Sequence, residues 1–583
     1  MTLPERKRIV SATTRLEQSC AHSSCCLDHA VGMCILSRFA GVRESHTGVH
    51  RDAVRRAALI ALGAACALTP SGAYSQPARS NSIAPPARFN DPDRISKLSS
   101  AFPQIDEMMR RFADQARVPG IAYGIVVDGK VVHIGTAGMR DVTAGKPVDT
   151  STVFRIASMT KSFTAVAILQ LRDEGGLSLD DPAERYVPEL KGLQYPTGDS
   201  PRITIRHLLS HSAGFPEDNP WGDQQLADSD TELSRMMRGG IPFSTAPGTA
   251  YEYSNYGFAI LGRIVATVSK MPYTRYVSER ILQPLGMTST TLQVAHVPAA
   301  RLAHGYRRQD NKWLEEKQLP DGAFGSMGGV LTTVSDLGKW VGFMLDAWPP
   351  RDGVETGPLR RASLREMQQL ARFGATTVVR DSTTGVVALS AGGYGFGLGV
   401  RQTCLFPITI AHSGGLPGFG SIKRWLPDYG VGIVALGNLT YTSWGTVTTQ
   451  AFDMLSQTGG LVARVPQPAP VLTEMHDQVS RLVARWNDTL ADSIAAMNLY
   501  LDESKERRRI GFAGPWIKAA EGCHDDGEFL LENPLRGRWR MRCNNGDLRV
   551  SITLAPTEPA RVQFLEVVPM RRDDSLAPLP VCR

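Results

Sequence analysis

Hydrophobic positions along the chain predict β-strands near both ends of one long segment, with mostly helical sequence between them. An amphipathic pattern over 97–116 predicts a helix. Two β-rich runs follow at 121–127 and 131–136, and the Asp-Gly pair between them is a hairpin signal. A second β-rich group closes the segment, with runs at 395–401, 408–412, 421–426 and 430–436. We therefore expect one sheet formed from the two ends of a domain over 97–460, with an inserted helical subdomain, which is an α+β fold.

The composition changes after the Pro-rich stretch 466–470. Residues 471–510 have a long helical pattern with many charges, and we interpret them as a helical connector. Short β-like runs separated by Gly, Asn and Pro fill 511–583, which predicts a small β-rich accessory module at the C-terminal end.

Residues 1–76 have the features of a leader. Three arginines between 51 and 56 precede an apolar stretch over 57–68, and small residues follow it, as in a secretory signal peptide at about 51–75. The apolar stretch is too short to span a bilayer, and we find no other candidate span. We therefore expect a periplasmic or secreted protein.

The stretch before the signal, 1–48, shows no sustained periodicity, and our hypothesis is that translation starts nearer Val49. A lipid anchor at Cys66 is a weaker alternative to a protein that is released after cleavage of the signal. The Gly-Ala-Ala that precedes Cys66 fits poorly with the sequence expected before a lipidated cysteine. A Pro- and Ser-rich linker at 77–96 would join the leader to the first domain.

The net charge of +7 belongs mostly to the leader. The first 76 residues hold nine of the 64 basic and five of the 57 acidic side chains, so the remainder has 55 basic against 52 acidic residues. A balance this even gives no reason to expect a nucleic acid or an anionic membrane surface as a partner.

Five of the nine cysteines also lie in the leader, which leaves Cys404, Cys523, Cys543 and Cys582. An oxidising compartment would permit a disulfide among them, with Cys523 and Cys543 as the first expected pair. Free buried thiols are an equally good interpretation of the same residues.

The first chemical signal is Ser158-Met-Thr-Lys161, at the start of an apolar helical pattern. A spacing of three places both side chains on one helical face, one turn apart. A serine hydroxyl needs a group that takes its proton, and a lysine desolvated against an apolar helix can do so or can lower the pKa of a third residue. Free N–H groups at a helix N-terminus can also stabilise an oxyanion. Alone, however, Ser-x-x-Lys is common by chance.

Two later motifs make a catalytic role for the Ser-x-x-Lys motif more plausible than chance. Tyr253-Ser-Asn255 gives Tyr-x-Asn, and His412-Ser-Gly414 gives His-x-Gly on a predicted strand. In this order, the three motifs resemble those of class C β-lactamases, penicillin-binding DD-peptidases and related D-aminopeptidases and esterases. The phrase His-Leu-Leu-Ser-His-Ser-Ala-Gly at 207–214 agrees with this resemblance, which covers most of the chain after the leader.

The resemblance implies an antiparallel sheet flanked by helices, and it implies a role for each motif residue. Ser158 would be the nucleophile, and Lys161 would keep its surroundings cationic. Tyr253 would be the general base in acylation and the acid toward the leaving group, while Asn255 would orient Lys161 or a substrate amide. The backbone N–H groups of Ser158 and Gly415 would form the oxyanion hole. Whether Lys161 or Tyr253 holds the proton at rest stays open.

The His-x-Gly motif differs from the Lys-x-Gly that class C β-lactamases and DD-peptidases usually carry. A lysine at the position of His412 can attract the carboxylate of a penicillin or of a terminal D-alanine, whereas a histidine with an ordinary pKa near 6.5 is mostly neutral at pH 7. We expect His412 and Gly414 to contact the substrate.

The substrate expected from these motifs is a small ester or amide, with peptidoglycan-derived peptides among the candidates. A β-lactam is the alternative substrate. A non-catalytic cell-wall-binding scaffold on the same fold is the competing class, although a dead site has no need of Ser158, Lys161, Tyr253 and Asn255 together.

No metal or cofactor is expected. His207 and His211 are four residues apart, as metal ligands on a helix would be, but no Glu follows the first histidine and Ser-Ala-Gly ends the helix. A capped turn explains them better than zinc does. The Asn219-Pro-Trp221 segment could line the substrate entrance, and a partly exposed structural Trp is an equal alternative.

Overall fold

The computed structural model describes residues 85–380, 387–512, 514 and 522–577. The predicted signal peptide at 51–75, the alternative anchor at Cys66, and Cys582 all lie outside the described residues. None of the helices described is both long and apolar enough to cross a membrane.

Strands occur in two groups, one in the long central segment and one near the C-terminal end. They are β1 (Gly120–Val127), β2 (Lys130–Asp141), β3 (Lys146–Pro147), β4 (Phe154–Arg155), β5 (Tyr306–Gln309), β6 (Lys312–Glu315), β7 (Leu331–Thr332), β8 (Arg372–Arg380), β9 (Val387–Tyr394), β10 (Gly399–Thr403), β11 (Thr409–Leu416), β12 (Phe419–Leu426), β13 (Val431–Gly437), β14 (His524–Asn533), β15 (Arg536–Cys543), β16 (Gly546–Leu554) and β17 (Val562–Met570).

Helices precede, interrupt and follow the central strands. They are α1 (Arg94–Ser99), α2 (Phe102–Ala116), α3 (Lys161–Asp173), α4 (Ile205–Leu209), α5 (Trp221–Gln224), α6 (Asp230–Arg238), α7 (Asn255–Ser269), α8 (Tyr273–Val277), α9 (Gly325–Gly328), α10 (Val334–Leu345), α11 (Arg361–Met367), α12 (Gly445–Gln457), α13 (Pro470–Ala484), α14 (Asp488–Ile494), α15 (Leu499–Asp502) and α16 (Lys505–Phe512).

The main sheet has nine strands in the order β3-β2-β1-β13-β12-β11-β10-β9-β8, and each adjacent pair is antiparallel. The two ends of the segment meet where β1 pairs with β13, with Ile125 opposite Ile433. The predicted α+β fold, with a sheet made from both ends of the segment and helices inserted between them, is confirmed.

Helices cover both faces of this sheet. Alternate residues of β1 point to opposite sides, so Ala122 and Val126 join the core formed with α3, α7 and α10, whereas Ile121 and Ile125 pack against α2 and α12. Every residue of β1 is therefore buried, as expected for a strand covered on both faces.

Two local predictions needed correction. The helix predicted over 97–116 is two helices, α1 and α2, because the chain turns at Ser100 and Ala101. The sequence pattern also omits β8 and β9, since these outer strands leave apolar side chains such as Phe373 and Val378 exposed and show no clear alternation. The predicted hairpin at 121–136 and the later strands are confirmed as β1, β2 and β10–β13.

The C-terminal strands form a separate antiparallel sheet in the order β14-β15-β16-β17. The helical pattern over 471–510 is broken into α13–α16, partly because the Asn487 side chain accepts from the Leu490 N–H at 2.8 Å and starts α14. Residues of α13, including Leu472 and Val479, share one core with Trp539 and Val550 of this sheet. These helices therefore pack as part of the C-terminal unit, and the exact domain boundaries remain predictions.

A disulfide joins Cys523 to Cys543, as the first expected pairing stated. The Sγ atoms link the residue just before β14 to the last residue of β15, so the bond closes the outer hairpin of the C-terminal sheet.

Replacing both Cys523 and Cys543 with serine should lower the free energy of local unfolding of this sheet by about 2–4 kcal/mol, because the hairpin loses a covalent constraint. Hydrogen exchange measured on peptides from 524–570 should therefore speed up in the double variant. Peptides from β1 and β13 in the same sample serve as the internal control. Equal exchange of the 524–570 peptides in both proteins would contradict the prediction.

Candidate active site

Ser158 lies in a 3₁₀ turn, Ala157–Thr160, that leads directly into α3. Ala157 has a φ of 50°, in the left-handed region that a non-glycine residue rarely adopts. Such a conformation persists only where the surroundings hold it. Strand β11 provides that support because it packs directly against the turn. The packing is so close that a Cβ at Gly414 would lie 2.1 Å from the Ile156 carbonyl oxygen. Only glycine at this position lets the strand approach the turn that carries Ser158.

Lys161 is the first residue of α3 and is completely buried. Its Nζ donates to Ser158 Oγ at 3.0 Å, to Asn255 Oδ1 at 2.6 Å and to the Met327 carbonyl oxygen at 3.1 Å. Burial lowers the pKa of Lys161 to about 7, and the charge of Asp223 partly opposes that shift. Lys161 can therefore exchange a proton close to neutral pH while touching the serine hydroxyl.

Tyr253 faces the same pair of residues. Its ring centroid lies 4.8 Å from the Lys161 Nζ, which is a cation–π distance. Burial raises the pKa of Tyr253 well above 10, and the nearby Ser158 only partly offsets this effect. The Tyr253 hydroxyl therefore keeps its proton at neutral pH, which suits it to act as an acid rather than as the general base that the resemblance implied.

Asn255 is the first residue of α7 and is oriented by the loop that precedes α5. The Asn255 carbonyl oxygen accepts from Lys161 Nζ, and its Nδ2 donates to Asn219 Oδ1 at 2.6 Å. The Asp218 carboxylate accepts from the N–H groups of Asn255 at 2.6 Å and Tyr256 at 2.7 Å. A carboxylate at this helix N-terminus satisfies two otherwise free donors and fixes the start of α7.

His412 is buried and neutral. Its Nδ1 contacts the Ser413 carbonyl oxygen at 2.5 Å, and Nε2 lies 2.7 Å from the Tyr394 hydroxyl. Since a carbonyl only accepts, Nδ1 carries the proton and Nε2 accepts from Tyr394. Burial, and then the charge of Lys161, lower the pKa of His412 to about 3. Burial therefore favours the neutral side chain that the sequence led us to expect at pH 7.

A cavity of about 1290 Å³ opens in front of Ser158. Its wall includes Ser158 and Tyr253, together with His412, Gly414 and Gly415 of β11. Strand β10 pairs with β11 from Thr409 to Ala411, and from His412 onward no strand in the described part of the chain pairs with this outer edge of β11. This edge forms part of the cavity wall, where a substrate can pair with the backbone of Gly415.

Gly415 packs against Tyr441, which belongs to the loop after β13. A Cβ at Gly415 would lie 2.4 Å from the Tyr441 ring, so the ring occupies the space that any larger residue would need. The Tyr441 hydroxyl reaches back to donate to Asp223 Oδ2 at 2.9 Å. This loop thus encloses the Gly415 end of the cavity.

The two histidines at 207 and 211 have structural contacts. His207 takes part in a capping box with Thr204, whose side chain accepts from the His207 N–H at 3.2 Å. His211 Nδ1 accepts from the Ser254 N–H at 3.1 Å, and its ring lies 4.2 Å from that of Tyr253. The predicted capped turn is confirmed.

The residues predicted from the motifs lie together around Ser158. The structure adds further residues to this site that the sequence did not single out. Tyr394 lies on β9, a strand that the pattern did not predict. Asp218 and Asp223 carry no motif signal. Asn219 lines the cavity, whereas the half-exposed Trp221 packs edge-on against Tyr256 and Phe324.

Lys423 is a further buried amine that sequence reasoning missed. It lies opposite His412 on β12 and donates to the Met159 carbonyl oxygen at 3.0 Å and to Ser162 Oγ. Both acceptors belong to the segment that carries Ser158 and Lys161. Lys423 therefore ties this segment to the sheet.

Known proteins resemble this chain over the same region. The family profile described as Beta-lactamase matches residues 105–454. "Protein flp" of Staphylococcus aureus (strain COL) is 30% identical over 338 residues, which cover 58% of this chain and 63% of that protein. The chain thus spans less than two thirds of the length of this relative. A "Beta-lactamase" of Lysobacter lactamgenus is 28% identical over 390 residues, which cover 65% of this chain and 94% of that protein.

A solved structure shows the same fold. The octameric penicillin-binding protein homologue from Pyrococcus abyssi aligns with a TM-score of 0.50 at 21% identity, covering 80% of this chain and 99% of the homologue. At this identity the likeness concerns the fold alone.

The His412 imidazole should stay neutral, with the proton on Nδ1, throughout the range from pH 5 to pH 8. Its folded-state pKa of about 3 lies below this range, so no titration should occur there. Nitrogen-15 NMR of histidine-labelled protein measures the tautomer directly, and a His412→Gln variant assigns the signal by its loss. A His412 signal that titrates near pH 6.5 would refute the assignment.

Proposed function

The chain belongs to the beta-lactamase family, and on that premise we propose that it is an exported serine hydrolase that forms an acyl-enzyme on Ser158. The substrate is a small ester or amide, which is hydrolysed in two steps. The observation that carries the proposal is the 3.0 Å contact between Ser158 Oγ and the buried Lys161 Nζ. A serine hydroxyl becomes a useful nucleophile when a group with a pKa near the working pH can take its proton.

In the first step, neutral Lys161 takes the proton of Ser158 as Oγ attacks the substrate carbonyl. The backbone N–H groups of Ser158 and Gly415 stabilise the oxyanion that forms. Tyr253, which is protonated at rest, gives its proton to the departing alcohol or amine. It then recovers a proton from the Lys161 ammonium, so the site returns to its starting charge.

In the second step, water attacks the acyl-enzyme. Neutral Lys161 accepts the proton of the attacking water through the Tyr253 hydroxyl, the Lys161 ammonium then returns a proton to Ser158 Oγ, and Ser158 leaves as the alcohol. Asn255 keeps Lys161 in place throughout, because its carbonyl oxygen accepts from Nζ while its amide nitrogen is held by Asn219.

The environment of His412 supports an esterase or D-aminopeptidase over a β-lactamase. A penicillin or a terminal D-alanine carries a carboxylate, and a neutral His412 offers it no positive charge. β-Lactam hydrolysis is the second candidate, favoured by the likeness to the Lysobacter lactamgenus protein over 94% of its length.

Export is part of the same proposal. It is supported by the signal-like sequence at 51–75 and by the Cys523–Cys543 disulfide, since such bonds persist in oxidising compartments.

Mixing the purified protein with a fluorophosphonate probe should add one probe mass, located on Ser158 by peptide mapping. Ser158→Ala should abolish the adduct, whereas Ser178→Ala, which removes an exposed serine, should label like the parent protein. Intact-mass spectra over time measure both. A fluorescent penicillin tested in parallel separates the two candidates, because a turning-over β-lactamase forms only a transient adduct. Labelling that survives Ser158→Ala would rule out the assigned nucleophile.

Hydrolysis of a p-nitrophenyl ester should rise with pH through about 7 and then level off, because neutral Lys161 is the reactive form and its pKa lies at about 7. Asn255→Asp places a carboxylate against the Lys161 Nζ and favours its ammonium form. The midpoint of the pH profile of kcat/KM should therefore move to higher pH. A midpoint that stays fixed in this variant, or activity that falls as pH rises through 7, would show that Lys161 is not the base.

A further inference from the structure

Asp223 is a buried carboxylate that the proposed mechanism does not use. It is only 2% exposed and belongs to the wall of the cavity that contains Ser158. Its Oδ2 accepts from the Tyr441 hydroxyl, whereas Oδ1 has no hydrogen-bond partner in the described part of the chain. Buried carboxylate oxygens are normally paired, so Oδ1 is an unused acceptor in a residue of the cavity wall.

The position of Asp223 relative to the reacting carbonyl follows from Tyr441. The Tyr441 ring lies against Gly415, whose N–H is the proposed oxyanion donor, and the hydroxyl of the same ring contacts Asp223. The carboxylate is therefore about one tyrosine side chain away from the oxyanion hole. Both residues belong to the wall of the same cavity, so a substrate bound in the oxyanion hole lies on the side of the cavity that contains Asp223.

The charges around the cavity favour a cation at this end. Asp223 forms no ion pair with Lys, Arg or His among the described residues. Burial raises the pKa of Asp223 to about 6, the charge of Lys161 opposes that shift, and Asp218 and Glu217 raise it further. A bound cation would offset the cost of keeping this carboxylate ionised.

We infer that Asp223 recognises an ammonium group on the acyl part of the substrate. The substrate class is then an amide or ester of an amino acid whose α-amino group is free, rather than an N-acylated one. This inference rests on the proposed function, because it takes Ser158 as the nucleophile. Such an ammonium is charged at neutral pH, since α-amino groups have pKa values near 8.

The other end of the motif strand agrees with this substrate. His412 is neutral, and its two ring nitrogens are already occupied by Ser413 and Tyr394. The cavity thus offers an acceptor for a cation beside Gly415 and no charged partner for a carboxylate at His412. An amino acid amide has an ammonium group that needs such an acceptor, and it has no carboxylate that would need a charged partner.

The test compares D-alanine p-nitroanilide with its N-acetyl derivative, which has the same leaving group but no ammonium. The ratio of the two kcat/KM values measures recognition of the amino group alone. We expect the parent protein to favour the free amine by at least 30-fold. Asp223→Asn keeps the shape and should lower this ratio by about 30-fold, the order expected when a buried charged partner is removed.

Glu217→Gln is the matched control. It removes one negative charge from the same loop, but Glu217 is exposed and does not belong to the cavity wall. The ratio should change by less than 3-fold in this variant, which separates a direct contact from a general loss of negative potential.

The outcomes distinguish this inference from the proposed function. If Ser158 takes the fluorophosphonate probe but the parent protein shows no preference for the free amine, the ammonium site is wrong and the hydrolase proposal stands. If Asp223→Asn lowers both kcat/KM values equally, Asp223 acts on Lys161 and the ammonium site is again wrong. If Ser158 is not labelled at all, the proposed function itself fails.

Discussion

Lys161 is completely buried, and an amine in that position must find acceptors for its protons or lose its charge. The fold supplies three acceptors from three separate parts of the chain: the turn that carries Ser158, the start of α7 and the Met327 carbonyl of α9. Desolvation still lowers the pKa of Lys161 to about 7. The same contact that satisfies the amine therefore holds a proton acceptor against the serine hydroxyl at neutral pH.

Around this amine, close backbone approaches decide where the reactive groups lie. Gly414 lets β11 touch the turn before Ser158, and Gly415 makes room for Tyr441. Behind them, Lys423 ties the Ser158 segment to β12, and Asp218 fixes the first turn of α7. These contacts come from strands, loops and helix ends that are remote in sequence, so the site depends on the packing of the whole α+β unit rather than on one motif.

Two side chains, His412 and Asp223, determine the electrostatic character of the cavity near Ser158. Burial makes His412 a neutral hydrogen-bonding group between Ser413 and Tyr394. The acidic side chain at the other end, Asp223, is held by Tyr441 and lacks a cationic partner among the described residues. The part of the wall between His412 and Asp223 therefore offers no positive charge to a substrate carboxylate, whereas Arg401 and Arg424 line another part of the cavity.

The order of the motifs, the hairpin at β1 and β2, and the strands β10–β13 could be predicted from the sequence, because side-chain alternation and the Ser-x-x-Lys spacing are local properties. The helix breaks at Ser100 and Asn487, the outer strands β8 and β9, and the acidic residues Asp218 and Asp223 could not. Asp218 meets Asn255 across 37 positions and Asp223 meets Tyr441 across 218, so only tertiary packing brings them together. Packing also sets the pKa values of Lys161 and His412, since desolvation depends on which distant segments exclude water from each side chain.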